Sequence, residues 1–195
     1  MAAVIGSATP QVVASEPASS LAPVLSADGT LLAFETDAAV PAAGVPNSGT
    51  FRLYLRNLAT GETRTPFPGV EVEFALPSPV FSPDGGSLLF QTAAALPGVA
   101  DDNASDDVFL APATLGALEV ISRRHPQLPL LTGSAPSTIE PGAISHDGQL
   151  VAFVSYAANL APNDTNGRRD VFVRDRVAGT NLLVSVGLKI GRAHV

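Results

Sequence analysis

Apolar residues in this chain come in short bursts, each following the same turn. Ser26-Ala-Asp-Gly29 leads into Leu31-Leu-Ala-Phe34, Ser82-Pro-Asp-Gly85 into Leu88-Leu-Phe90, and Ser145-His-Asp-Gly148 into Leu150-Val-Ala-Phe153. The three aspartates, Asp28, Asp84 and Asp147, are 84 − 28 = 56 and 147 − 84 = 63 residues apart. A second burst follows each: Arg52-Leu-Tyr-Leu55, Asp107-Val-Phe-Leu110 and Asp170-Val-Phe-Val173, spaced 107 − 52 = 55 and 170 − 107 = 63. The two bursts move together, and a fixed period of this size marks stacked supersecondary units.

Within each copy the pattern predicts four short strands. Strand A spans 21–26, 78–82 and 141–145; strand B spans 31–36, 87–92 and 149–155. Strand C spans 52–57, 107–111 and 170–175, and strand D spans 62–67, 117–122 and 181–186. Between A and B, the aspartate bonds the backbone two residues on and the glycine accepts positive φ. Between C and D, tight turns fall at Thr60-Gly61, Leu115-Gly116 and Ala178-Gly179. Strand B is apolar on both faces: Leu32 and Phe34 against Leu31 and Ala33, Val151 and Phe153 against Leu150, Ala152 and Val154. A sheet with one wet face would alternate apolar with polar. These sheets are therefore covered on both sides. A four-stranded antiparallel meander, repeated and packed face to face, is a β-propeller blade. A linear β-solenoid would have shorter coils without paired hairpin turns.

The expected fold is all-β: a propeller fragment of three blades, 21–77, 78–140 and 141–188, in an incomplete ring. Thr9-Pro-Gln-Val-Val-Ala14 reads as strand D of a preceding blade, which makes 1–20 its remnant. Terminal repeats need polar outer faces, and no such cap is visible. An apolar face is expected at each open end, with self-association through it; a two-fold dimer of such arcs would close a ring.

Composition agrees and narrows the chemistry. The 17 Gly and 17 Pro suit many short strands divided by turns. With no cysteine there is no disulfide, thiolate metal site or cysteine nucleophile. A net charge of −7 lacks the basic footprint of a nucleic-acid binder and is repelled by anionic lipid. No apolar run approaches the ~20 residues that span a bilayer, and no secretory signal is visible. Lys189 is the only lysine, and Ile190-Gly-Arg-Ala-His-Val195 can be written ATCGGAAGAGCACACGTC, which matches a common sequencing adapter. Residues 189–195 therefore read as a non-native tail. Without Lys189 and Arg192 the balance is 11 − 2 = 9 basic against 18 acidic residues, or −9.

A meander places the A–B and C–D turns on one face and the B–C and D–A connections on the other. The latter are long: 37–51, 93–106 and 156–169 for B–C, 68–77 and 123–140 for D–A. Insertions in repeat proteins gather on one face, often the binding face, so a protein or small ligand is expected there. On that face Asp101-x-Asn103-x-x-x-Asp107 and Asp164-x-Asn166-x-x-x-Asp170 share one spacing. Alternating oxygens around a turn can wrap calcium; the other reading is an Asx-turn in which Asp and Asn satisfy the loop backbone. Arg168-Arg169 is expected to balance Asp164 and Asp170 locally. His125 follows Arg123-Arg124 in a D–A loop, and His146 lies in a tight turn. There is no Gly-x-Ser-x-Gly, phosphate-binding glycine loop or His-Glu-x-x-His, and no catalytic residue is named.

Ser-Pro-Asp-Gly before a strand, then Asp170-Val-Phe-Val-Arg-Asp175 before a glycine turn, resembles the TolB-like, WD-repeat-like propellers of bacteria. The third copy matches best, with Asn159-Leu160, Asp164-Thr-Asn-Gly167 and Leu183-Val-Ser-Val186. The first departs most, with Arg52 in place of Asp and no Asp-x-Asn; His146 replaces the usual proline. The resemblance covers roughly 9–187 and implies about six blades in the whole ring. It also implies a non-catalytic binding or scaffold module in the periplasm or outside the cell. Similar propellers gate the catalytic domain of serine peptidases, and others process sugars.

Overall fold

Each repeat folds into one sheet. The computed structural model describes residues 19–38, 40, 51–66, 79–99, 103–124, 133–162 and 164–185. Repeat 1 contains β1 (Ser20–Leu25), β2 (Leu31–Thr36), β3 (Arg52–Asn57) and β4 (Thr63–Arg64). Repeat 2 contains β5 (Val80–Phe81), β6 (Ser87–Thr92), β7 (Asp107–Pro112) and β8 (Glu119–Val120). Repeat 3 contains β9 (Ser137–Thr138), β10 (Leu150–Ser155), β11 (Asp170–Asp175) and β12 (Thr180–Leu183). Neighbours in sequence pair antiparallel throughout, so each sheet is a four-stranded meander. The fold is all-β among the described residues, and no sheet closes on itself.

One turn is built three times from the same atoms. Ser26 Oγ donates to Asp28 Oδ1 at 2.6 Å, Ser82 to Asp84 at 2.5 Å and Ser145 to Asp147 at 2.7 Å. The same carboxylates accept the backbone N–H of Thr30, Gly86 and Gln149. Each serine Oγ accepts the N–H that opens strand B, at 2.9 Å in all three copies. The glycine after each aspartate has φ of +67° to +72°, where a side chain would be strained. The hydroxyl donor, more than any other group, holds the three carboxyls below their ordinary range.

The central strands fall where the apolar bursts place them, and the outer ones are shorter. The expected strand A of repeat 3, 141–145, is corrected: Ser137–Thr138 pair with Val154–Ser155, while Ile144 makes only an isolated bridge to Val151. Pro141 brings no N–H and Gly142 sits at φ +80°, which breaks the strand in two. In β1 the pairing register shifts between Leu21 and Val24, where Ala22 takes positive φ and Pro23 cannot donate. The stray strand at 9–14 and the tail at 189–195 lie outside the described residues.

Packing has a direction. Phe34–Tyr54, Phe90–Phe109 and Phe153–Phe172 are cross-strand partners on the two central strands, stacked at 5.6–5.7 Å. Phe90 and Phe109 pack on Ala33, Leu53 and Leu55 of repeat 1. Phe153 and Phe172 pack on Leu89, Val108, Leu110 and Ile121 of repeat 2. Repeats 2 and 3 thus turn an aromatic pair toward the preceding repeat, and repeats 1 and 2 turn aliphatic residues toward the following one. Burial of each such ring is worth about 1.5–3 kcal/mol. The aliphatic side of repeat 3 has no sheet against it, and Leu150, Val171, Leu182 and Val184 are exposed there. At the other end Phe34 and Tyr54 are buried in a small cluster with Val40.

Candidate functional site

The strand ends that lead into the β2–β3, β6–β7 and β10–β11 connections, at Thr36, Thr92 and Ser155, lie opposite the tight turns. Described parts of neighbouring loops are bonded to each other. Ser137 N donates to Asp106 O at 2.6 Å, and Ser134 N to Asn159 Oδ1 at 2.9 Å. Asn103 Nδ2 donates to Gly133 O and, at 3.2 Å, to Asp107 Oδ2, while its Oδ1 accepts Ser105 N at 2.6 Å. Asn103 therefore turns its own loop and ties it to the chain entering the next repeat. Asp107, at the start of β7, is clasped to the end of the repeat: Ser122 Oγ donates to Asp107 Oδ1 at 2.6 Å and accepts Val108 N at 3.1 Å.

Repeat 3 keeps the clasp. Ser185 Oγ donates to Asp170 Oδ1 at 2.6 Å and accepts Val171 N at 2.9 Å. Asn166 Oδ1 accepts Arg168 N at 2.7 Å. Asp164 and Asp170 are only 7% and 3% exposed, yet Asp164 Oδ1 and Asp170 Oδ2 are buried with no hydrogen-bond partner. Burial raises the Asp164 carboxyl above its ordinary range, and the nearby charge of Asp170 raises it further. The arginines do not balance the pair as expected. Arg169 reaches Thr138 Oγ1 at 2.9 Å, and among the described residues neither aspartate has an ion pair. No three acidic or histidine side chains converge on a metal position among the described residues. Asp101 and His125 lie outside them.

No protein-family model matches the chain, and no curated protein matches it. Solved structures do. TolB from Acinetobacter baumannii aligns over 86% of this chain and 32% of its own, with a TM-score of 0.50 at 17% identity. The fold is that of a TolB-like β-propeller. The propeller domain of the Trilobed protease from Pyrococcus furiosus aligns over 87% of this chain and 44% of its own, with a TM-score of 0.52 at 14% identity. Oligogalacturonate lyase from Vibrio parahaemolyticus aligns over 91% and 45%, with a TM-score of 0.53 at 17% identity. The chain spans less than half of each, as three blades of an incomplete ring. At such identities the likeness establishes the fold alone.

Two features of the propeller escaped the sequence reading. Glu35, on strand B of blade 1, faces blade 2 and is 3% exposed; burial pushes its carboxyl up to about 7. Gln91 holds the same place in blade 2, where its Oε1 accepts Ile139 N of blade 3 at 3.2 Å. The second feature is a groove of about 490 Å³ between the outer strands of blades 2 and 3, lined by Glu119, Arg123, Arg174 and Arg176. Arg176 Nε pairs with Glu119 Oε2 at 2.7 Å across the blades, and its Nη1 donates to Gly148 O at 2.6 Å. Burial pulls Arg174 below its ordinary range, with Glu119 opposing. These contacts join one blade to the next.

Proposed function

We propose that this propeller segment is a non-catalytic binding or scaffold module whose ligand or protein partner meets the long-loop face. One observation carries the reading. Loops of successive blades are hydrogen-bonded to one another through Ser137–Asp106, Asn103–Gly133 and Ser134–Asn159. These bonds link the described loop segments of blades 2 and 3 on a scaffold of sheets, an arrangement that suits partner recognition by loops. The sequence resemblance supports an exported setting, periplasmic or extracellular.

The second reading is a gating propeller of a serine-peptidase-type hydrolase, and the likeness to the Trilobed protease propeller favours it. Reading the gene beyond codon 188 at its genomic locus separates the two. Further blades alone support the binding module. Blades adjoining an α/β-hydrolase segment with a Gly-x-Ser-x-Gly elbow overturn it in favour of gating.

A further inference from the structure

We propose that the Asp164–Asp170 loop of blade 3 binds a hard divalent cation, with calcium as the best fit. The comparison of the two Asp-x-Asn loops carries this. In blade 2 the Asn103 amide donates to Asp107 Oδ2 and to Gly133 O, so a donor stands where a cation would need an oxygen. The Asn oxygen is used alike in both loops, accepting Ser105 N in blade 2 and Arg168 N in blade 3; the difference lies in the carboxylates. Two carboxylate oxygens, Asp164 Oδ1 and Asp170 Oδ2, are left buried without partners, on side chains that are both more than nine-tenths buried. A buried carboxylate oxygen without a partner is strongly destabilising.

Size and charge choose the occupant. Each orphaned oxygen is almost wholly closed to a water molecule. Calcium takes oxygen ligands at about 2.3–2.6 Å and would satisfy carboxylate oxygens that bulk solvent does not reach. It also neutralises two negative charges where, among the described residues, no arginine forms an ion pair. Two carboxylates supply the anionic ligands, and the remaining places fall to peptide oxygens, which calcium accepts readily. So small an anionic set implies weak binding, with Kd on the order of 10⁻⁴–10⁻³ M. The inference is independent of what the long-loop face recognises.

The test uses the chelator-treated chain. Calorimetric titration with calcium chloride should give one saturable site, and the thermal midpoint should rise with calcium. Asp164→Asn and Asp170→Asn should each weaken binding at least tenfold. Asp107→Asn should lower the midpoint through the blade 2 clasp while leaving the calcium response intact. The proposal is overturned if the wild-type chain shows no saturable heat and no midpoint shift in millimolar calcium. It is equally overturned if Asp164→Asn binds as the wild type does, or if Asp107→Asn abolishes the response. The wild-type titration stands even if a variant fails to fold.

Discussion

Ser122 and Ser185 make the same two bonds in successive blades but sit in different surroundings. Ser122 is wholly buried and holds Asp107 and Val108 N, both also buried. Ser185, at the open side, is only partly buried. Removing a hydroxyl costs most when it strands buried groups. Ser122→Ala should therefore lower stability by about 2 kcal/mol and Ser185→Ala by less, since Ser185 and Val171 lie at the open side although Asp170 is buried, read as the difference in urea unfolding free energy. Glu35 makes a pH prediction. Unfolded, it titrates near 4.5; folded, near 7. Across that window the folded chain keeps a proton that the unfolded chain has released, so stability falls as pH rises from about 4.5 to about 7 and then levels. Asp106 and Asp164 are shifted in the same direction, so the difference between wild type and Glu35→Gln isolates Glu35. The variant should lose the corresponding part of the slope in urea midpoints taken across this range. The turn aspartates act oppositely: their lowered pKa values stabilise the fold above the ordinary carboxylate range, and that contribution is lost as pH falls.

At the scale of the strand, one position can be compared buried and bare. Ile121 of blade 2 and Val184 of blade 3 are equivalent, 184 − 121 = 63 residues apart, the repeat spacing. Ile121 is 0% exposed against blade 3, while Val184 is 48% exposed. Ile121→Thr should cost about 2–3 kcal/mol, because it removes buried methylene and buries a hydroxyl. Val184→Thr should change stability by no more than about 0.5 kcal/mol, and thermal melts of the two variants side by side check both. The same asymmetry explains what was legible beforehand. Strands B and C could be read within a residue or so because their apolar bursts are packed on at least one face. Strand D was read too long, since its backbone pairs on one side only and two residues of ladder suffice in β4 and β8. Strand A of blade 3 was misplaced because Pro141-Gly142 interrupts a stretch whose composition still looks like strand. At the site, the repeated spacing picked out Asp107 and Asp170, but their serines lie 122 − 107 = 15 and 185 − 170 = 15 residues on, across a hairpin. Glu35 gave no sign, because the burial of one carboxylate depends on which face the next blade covers.

The whole molecule has a sense of direction, since blades 2 and 3 offer aromatics backward and blades 1 and 2 offer aliphatics forward. Blade 3 therefore ends in a forward face that blades 1 and 2 use against their successors. Leu182 is 65% exposed on it, and Leu150, Val171 and Val184 lie beside it. Closing a ring from two copies requires this face to meet the backward face of blade 1, where Phe34 and Tyr54 cluster with Val40. Two copies can instead bury the forward face by pairing blade 3 with blade 3 about a two-fold axis, an isologous contact that saturates at the dimer. We expect sedimentation velocity to show a concentration-dependent monomer–dimer equilibrium. Leu182→Asp should hold the chain monomeric at the same concentrations with its thermal midpoint nearly unchanged, because the residue contributes little to the packing of its own blade. Substitution of Thr30, on the exposed turn of blade 1, should leave the equilibrium as it is. A wild-type chain that sediments as a monomer at every concentration would show that water suffices to cover the forward face. A dimer that survives Leu182→Asp would place the contact elsewhere.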